Sequence, residues 1–260
     1  MRLNQYLARA GFGSRRACEE LILEGAVTIN GHRLRELATR VGADDHVLVH
    51  GKPVKMPVPL VAILHKPPGY LCTSPDSTSE RTICDLLPSG WPRVVYVGRL
   101  DKESEGLLVV TNDGNLAQRL THPSTKMRKT YIVTLDRDFD FALAPKMKKG
   151  ISIEEGFARM DDIFRVGPRT VKVILTQGIK RQIREMFYKV GYEVKRLVRI
   201  QIGNLTLLNL PVGQHRVLTQ EDVKRYFPVA VALRATGPSR ARSARATKKS
   251  KTKKELPHGS

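Results

Sequence analysis

The sequence predicts an α+β protein: a small helix-rich N-terminal domain, then a larger domain on a mixed, mainly antiparallel sheet. Three observations predict it. Apolar residues at helical spacing dominate the first 25 positions. Short runs rich in Val, Ile and Leu, each bounded by turn residues, recur from residue 60 to beyond residue 200. Between them, GKPVKMPVP at 51–59 reads as a semi-rigid linker. The expected organisation is therefore 1–50, a linker at 51–59, a sheet domain at 60–230 and a basic tail at 234–260.

In the first part, Leu3, Tyr6, Leu7 and Ala10 share one helix face, and Gly11 and Gly13 stop that helix. Ser14 is a natural N-cap for a second helix, Arg15 to Glu24, ending at Gly25. Ala26–Ile29 alternates like a strand, and Asn30-Gly31 is a favoured hairpin turn. Arg9, Arg15, Arg16 and Arg33 cluster around these elements. On pattern alone they are either a solvated face or a grip for an anionic polymer.

The sheet domain centres on Val94–Gly114, VVYVGRLDKESEGLLVVTNDG. Val94–Val97 and Leu107–Thr111 read as buried strands, joined by a polar segment holding Arg99 and Asp101. Gly98 and Gly106 let the chain turn or another strand approach closely. A carboxylate on a short connection between core strands is held rigidly yet left reachable, which suits catalysis. The same residues also read as a turn-capping Asp with a solvated Arg beside it.

Further strands are expected at Leu60–His65, Tyr131–Leu135, Ile151–Ile153, Ala158–Phe164 and Thr170–Leu175. Helices are expected at Thr82–Leu87, Asn115–Thr121, Asp138–Lys149 and Lys180–Val190. On the last, Ile183, Met186, Phe187 and Val190 share one side, while Arg181, Arg184 and Glu185 occupy the other. Thr219 and Asp222 form a capping box for a final helix, Gln220–Tyr226.

Composition narrows the function. Apolar residues make up 41% of the chain, enough for a core, and the formal charge is +20. The tail holds nine Lys or Arg against Glu255, a net +8, which leaves +12 in residues 1–233. Such a field draws polyanions, and with no membrane-surface helix in the pattern the partner expected is nucleic acid. The tail has almost no large apolar residues, so it is expected to be disordered and to touch RNA without sequence preference. Cys18, Cys72 and Cys84 form neither a disulfide framework nor a metal pair. The chain reads as cytoplasmic, reduced and metal-free.

The run Gly98-Arg99-Leu100-Asp101, Ser104, Gly106-Leu107-Leu108 and Thr111-Asn112-Asp113-Gly114 resembles the signature of the pseudouridine synthases, in their ribosomal RNA branch. Lys66-Pro67-Pro68-Gly69, Lys129-Thr130-Tyr131 and Arg181-Gln182-Ile183-Arg184 are similar to that family's other motifs, and LARAGFGSRRACEELILEGAVTINGHRL resembles an S4-type RNA-binding domain. Glu185 and Gln177 depart from the residues common there.

The resemblance implies isomerisation of uridine to pseudouridine in RNA, without a cofactor. It implies Asp101 as the catalytic carboxylate, Arg184 as its ion-pair partner and Tyr131 stacked on the uracil near its C5 proton. Arg99 would fill the gap left by an extruded uridine, and Arg181 and the N-terminal arginines would contact RNA. The implied partner is ribosomal RNA or a pre-ribosomal particle, bound by a monomer with no membrane and no small-molecule cofactor. Large-subunit rRNA is the expected substrate. The alternatives are small-subunit rRNA and a catalytically silent RNA-binding ribosome-assembly factor.

Overall fold

The structure, a computed structural model, describes residues 1–73 and 78–228; the basic tail expected at 234–260 lies outside the described residues. Near the N-terminus, α1 (Leu3–Arg9) and α2 (Arg15–Leu23) turn Leu3, Leu7, Cys18 and Ile22 onto a small sheet. Ser14 caps α2 as expected, its Oγ accepting from the Ala17 amide at 3.1 Å. The sheet comprises β1 (Val27–Ile29), β2 (His32–Leu34), β3 (Val47–Val49) and β4 (Lys52–Pro53), in the order β2-β1-β3-β4. Asn30 and Gly31 turn the first hairpin with φ of 52° and 84°, the left-handed pair such a turn requires. Residues 52 and 53, read from the sequence as linker, are instead its edge strand, a position where Pro53 leaves no ladder bond unmade.

The larger part carries β5 (Val61–Lys66), β6 (Val95–Val97), β7 (Glu105–Thr111), β8 (Lys129–Leu135), β9 (Ile151–Ile153), β10 (Gly156–Ala158), β11 (Asp162–Arg165), β12 (Thr170–Leu175), β13 (Val194–Ile202), β14 (Leu205–Thr206) and β15 (His215–Val217). Its helices are α3 (Gly114–Thr121), α4 (Ala144–Lys149), α5 (Gln182–Lys189) and α6 (Gln220–Tyr226). The main sheet runs β11-β12-β8-β13-β7-β5-β15, with β14 beside β13 and β6 beside β7; β9 and β10 form a separate hairpin. Its pairings are antiparallel except that of β7 with β13.

Both faces of this sheet are covered, so β5 and β7 are buried along their whole length. One face packs Leu64, Leu108 and Val133 against Ile183, Met186 and Phe187 of α5. The other packs Ile63, Leu107 and Val109 with Leu116 and Leu120 of α3 and with Phe227. The capping box of α6 forms as expected, Thr219 and Asp222 each bonding the other's amide at 3.1 Å. Among the described residues no helix is long and apolar enough to cross a membrane.

Three further expectations require correction. The run Val94–Val97 is buried only at its end: β6 is a short side strand whose Val97 joins the core while Val95 is 43% exposed. The helix expected at Asp138–Lys149 begins only at Ala144, because Phe139 turns into the core against Phe187 and Tyr192 while Asp140 caps a separate 3₁₀ turn. The strand expected at Ala158–Phe164 is two strands. They are parted where the Met160 amide bonds the Met147 carbonyl at 3.0 Å instead of continuing a ladder.

Candidate active site

Where β7 meets β13, the two backbones approach too closely for any side chain on Gly106. A Cβ there would lie 2.3 Å from the Arg199 oxygen, and the φ of +115° is itself a glycine conformation. Cross-strand pairing then places Tyr131, Arg199, Gly106 and Lys66 in one row across β8, β13, β7 and β5. Gly106 is thus the gap that brings two cationic side chains together under the segment carrying Asp101.

Those cations grip the segment by its main chain. The fully buried Lys66 ammonium donates to the carbonyls of Pro67, Asp101 and Lys102 at 3.1 Å each and of Ser104 at 2.8 Å. Arg199 donates from Nε to the Leu107 carbonyl at 2.8 Å and from Nη1 to the Arg99 carbonyl at 3.3 Å. Burial, with Arg199's charge adding to it, pulls the Lys66 pKa below its ordinary value against the opposing effects of Cys72, Glu103 and Asp101.

Over this floor lies a cavity of about 620 Å³, lined among others by Gly98, Arg99, Asp101, Tyr131, Arg181 and Arg199. The Asp101 main chain is fixed, but its carboxylate makes no hydrogen bond or ion pair with the described residues. Cys72 also borders the cavity, its thiol pushed up by burial. Lys129, beneath the rim, is pulled down by burial and by Arg199's charge, with Asp161 opposing. The result is a hollow with the Asp101 carboxylate free of partners among the described residues, Tyr131 on its wall and a cationic floor. It can hold a flat, neutral ring and an anionic backbone. Among the described residues no group of three or more His, Cys, Asp or Glu side chains could hold a metal ion.

This geometry coincides with a family match. The family model for RNA pseudouridylate synthase matches residues 60–189, and that for the S4 domain matches residues 1–47. An uncharacterized RNA pseudouridine synthase of Aquifex aeolicus is 40% identical over 242 residues, spanning 90% of this chain and 96% of its own length. The chain belongs to the RNA pseudouridylate synthase family. Ribosomal large subunit pseudouridine synthase B of Bacillus subtilis is 34% identical over 235 residues, spanning 88% of this chain and 96% of its own. A crystallised pseudouridylate synthase shares the fold at a TM-score of 0.63, with 24% identity, covering 87% of this chain and 99% of its own.

The family's fold brings Asp101, Tyr131, Arg99 and Arg181 to one cavity. It places Arg184 differently from the expected ion pair. Arg184 is half-buried on α5, its Nη1 donating to the Val194 carbonyl at 2.9 Å and its Nη2 to the Glu103 carbonyl at 3.5 Å. No contact within ion-pair distance joins it to Asp101; the helix is tied instead to the segment's main chain. Burial and the neighbouring Arg181 pull the Arg184 pKa down, while Asp101 and Glu103 oppose them, so the two groups do share one electrostatic environment. Arg181, left-handed at the start of α5 with a φ of 52°, pairs with Glu103 at 3.5 Å.

The N-terminal arginines divide. Arg9 and Arg15 line a second cavity of about 450 Å³ together with Arg93 and the start of α3. Tyr96 and Thr121 border both cavities, so the two adjoin. Arg16 and Arg33 are exposed and line neither. Lys66 and Arg199 carry no role in the sequence reading. The faint signal was a Lys before a Pro-Pro turn and an Arg set among Leu197, Val198 and Ile200, where a buried cation must find partners.

Proposed function

We propose that this enzyme converts one uridine of large-subunit ribosomal RNA to pseudouridine, with Asp101 acting on the ribose. The observation that carries the reading is the Asp101 carboxylate, unpartnered in a cavity whose other wall is Tyr131, on a segment fixed through its backbone. Its likeness across nearly full length to an enzyme named for the large ribosomal subunit supports the substrate class.

In this reading the target uridine leaves its stack and enters the cavity, and Arg99, exposed at the rim, occupies the space it vacates. Tyr131 stacks on the uracil, a contact worth about 1–3 kcal/mol per base. The bond between uracil N1 and ribose C1′ breaks, and Asp101 meets the electron-poor carbon. The base turns, C5 bonds to C1′, the C5 proton leaves toward the Tyr131 hydroxyl, and N1 takes up a proton. Closure on RNA brings Arg184 the remaining distance to Asp101. Arg9 and Arg15 carry the flanking strand along the adjoining cavity by phosphate contacts that position without reading sequence.

The test is a pseudouridine map of both ribosomal RNAs from cells lacking the protein, complemented with wild type or Asp101→Ala. Loss of one large-subunit mark, restored by wild type alone, supports the reading. A lost mark in small-subunit RNA moves the substrate, and an unchanged map leaves an RNA-binding factor.

A further inference from the structure

Arg199 carries a charge that its loop-holding bonds do not account for. The residue is 2% exposed, borders the cavity, and pairs in register with Tyr131. Its two hydrogen bonds go to carbonyls, not to a carboxylate. Its Nη2 is sealed from solvent with no hydrogen-bond partner. A buried donor without a partner is costly, and a buried cation without a counter-charge more so. Lys66 and Lys129 are close enough that Arg199's charge pulls both of their pKa values down. The cavity lining therefore holds positive charge in excess, with Arg99, Lys102, Lys129, Lys180, Arg181 and Arg199 against Asp101 and Glu103.

The isomerisation proposed above, on which this inference rests, creates the opposite charge. When N1–C1′ breaks, the bonding pair stays with the base, and C1′ is left to Asp101. The detached uracil is then an anion, its charge spread over N1, O2 and O4. That charge persists until C5 bonds C1′; the C5 proton is then lost, N1 gains one, and the composition is unchanged. A uracil stacked on Tyr131 lies beside the strand position of Arg199. We propose that Arg199, at the cavity's edge and in register with Tyr131, is the cation that stabilises the detached uracil anion through its charge. A charge preset in a water-excluded site acts on the transition state at no reorganisation cost.

The experiment uses the full chain and a large-subunit rRNA stem-loop bearing either uridine or 5-fluorouridine at the mapped target. Fluorine at C5 makes the departing anion more stable by itself, so glycosidic cleavage depends less on an external charge. Arg199→Gln should slow single-turnover loss of uridine by about 10²–10³-fold, the usual effect of removing one preorganised donor. The loss for 5-fluorouridine should be at least about ten-fold smaller, with RNA affinity nearly unchanged. Arg199→Lys should fall between Arg199→Gln and wild type.

Equal losses on the two RNAs would make Arg199 a loop anchor only and overturn the assignment, as would a full rate in Arg199→Gln. Should Arg199→Gln fail to fold, Arg199→Lys carries the same comparison: a larger loss for uridine supports the proposal, and equal losses overturn it. A wild-type protein that leaves the uridine intact overturns the isomerase reading itself, and this assignment with it.

Discussion

The Lys66 ammonium donates a hydrogen bond to the main-chain oxygen of Asp101 at 3.1 Å. The residue proposed to act on ribose is thus held by its backbone and left free at its carboxylate. Its preorganisation comes from a neighbouring strand, not from a partner for the side chain.

Lys66→Met should therefore harm both fold and rate. Four carbonyls lose their donor, so destabilisation of about 2–4 kcal/mol is expected. The segment loosens, and kcat should fall by more than about ten-fold while KM for RNA changes little. Melting curves and steady-state kinetics measure the two effects; a normal kcat in a loosened protein would separate the grip from catalysis.

Gly106→Ala tests the close approach of β7 and β13. With a Cβ 2.3 Å from the Arg199 oxygen, the strands must part. A loss of more than about 2 kcal/mol is expected, from strain and overpacking together. Urea unfolding of the purified variant gives the number.

Tyr131→Phe keeps the stacking surface and removes the hydroxyl. RNA affinity should hold, and turnover should slow by about 10²–10⁴-fold, the range for losing a general base. Unimpaired turnover would reduce Tyr131 to a wall.

Arg15→Ala combined with Arg16→Ala should weaken RNA binding and lower the slope of log affinity against log salt by about 2 if both meet phosphates. Arg15 alone lines the second cavity, so an effect confined to Arg15 would trace the strand's path through it. Filter binding over a salt series distinguishes the cases, and turnover at saturating RNA should stay near wild type.

Glu105 supplies a pH dependence. Burial pushes its carboxyl up, but the Arg196 hydrogen bonds at 2.8 and 3.1 Å and the His65 contact at 3.2 Å outweigh that and leave it below its ordinary value. A carboxylate depressed on folding adds stability above its unfolded pKa, and the gain is lost as pH falls through the folded one. Glu105→Gln should cost about 1–2 kcal/mol at pH 7, discounted because Arg196 is largely exposed, and progressively less below the ordinary carboxylate range. Denaturant titrations at pH 7 and in acid test this; an equal cost at both would refute it.

Much was legible from local chemistry. Helix stops at Gly11 and Gly25, the Ser14 cap, the Asn30-Gly31 turn and the Thr219–Asp222 box are interactions within a few residues of each other, and all formed. Family membership was equally legible, because Arg99, Asp101 and Ser104 stand at fixed spacing in one continuous run. The tip of that run, its turn and the buried strand after it needed no distant partner to be recognised.

The errors fell where distant parts of the chain compete. Phe139 left a helical pattern because an aromatic pocket on α5 and β13's lead-in offered more burial, and residues 52–53 became a strand because β3 had an open edge. Lys66, Gly106 and Arg199 are separated by dozens of residues, and nothing local marks them as a unit. Spacing along a chain records which residues repeat, whereas a buried cation's partners depend on which strands lie side by side. The amino-acid order thus carried the family and the residues proposed to react, and the packing of β5, β7, β8 and β13 set how those residues are held, charged and left open.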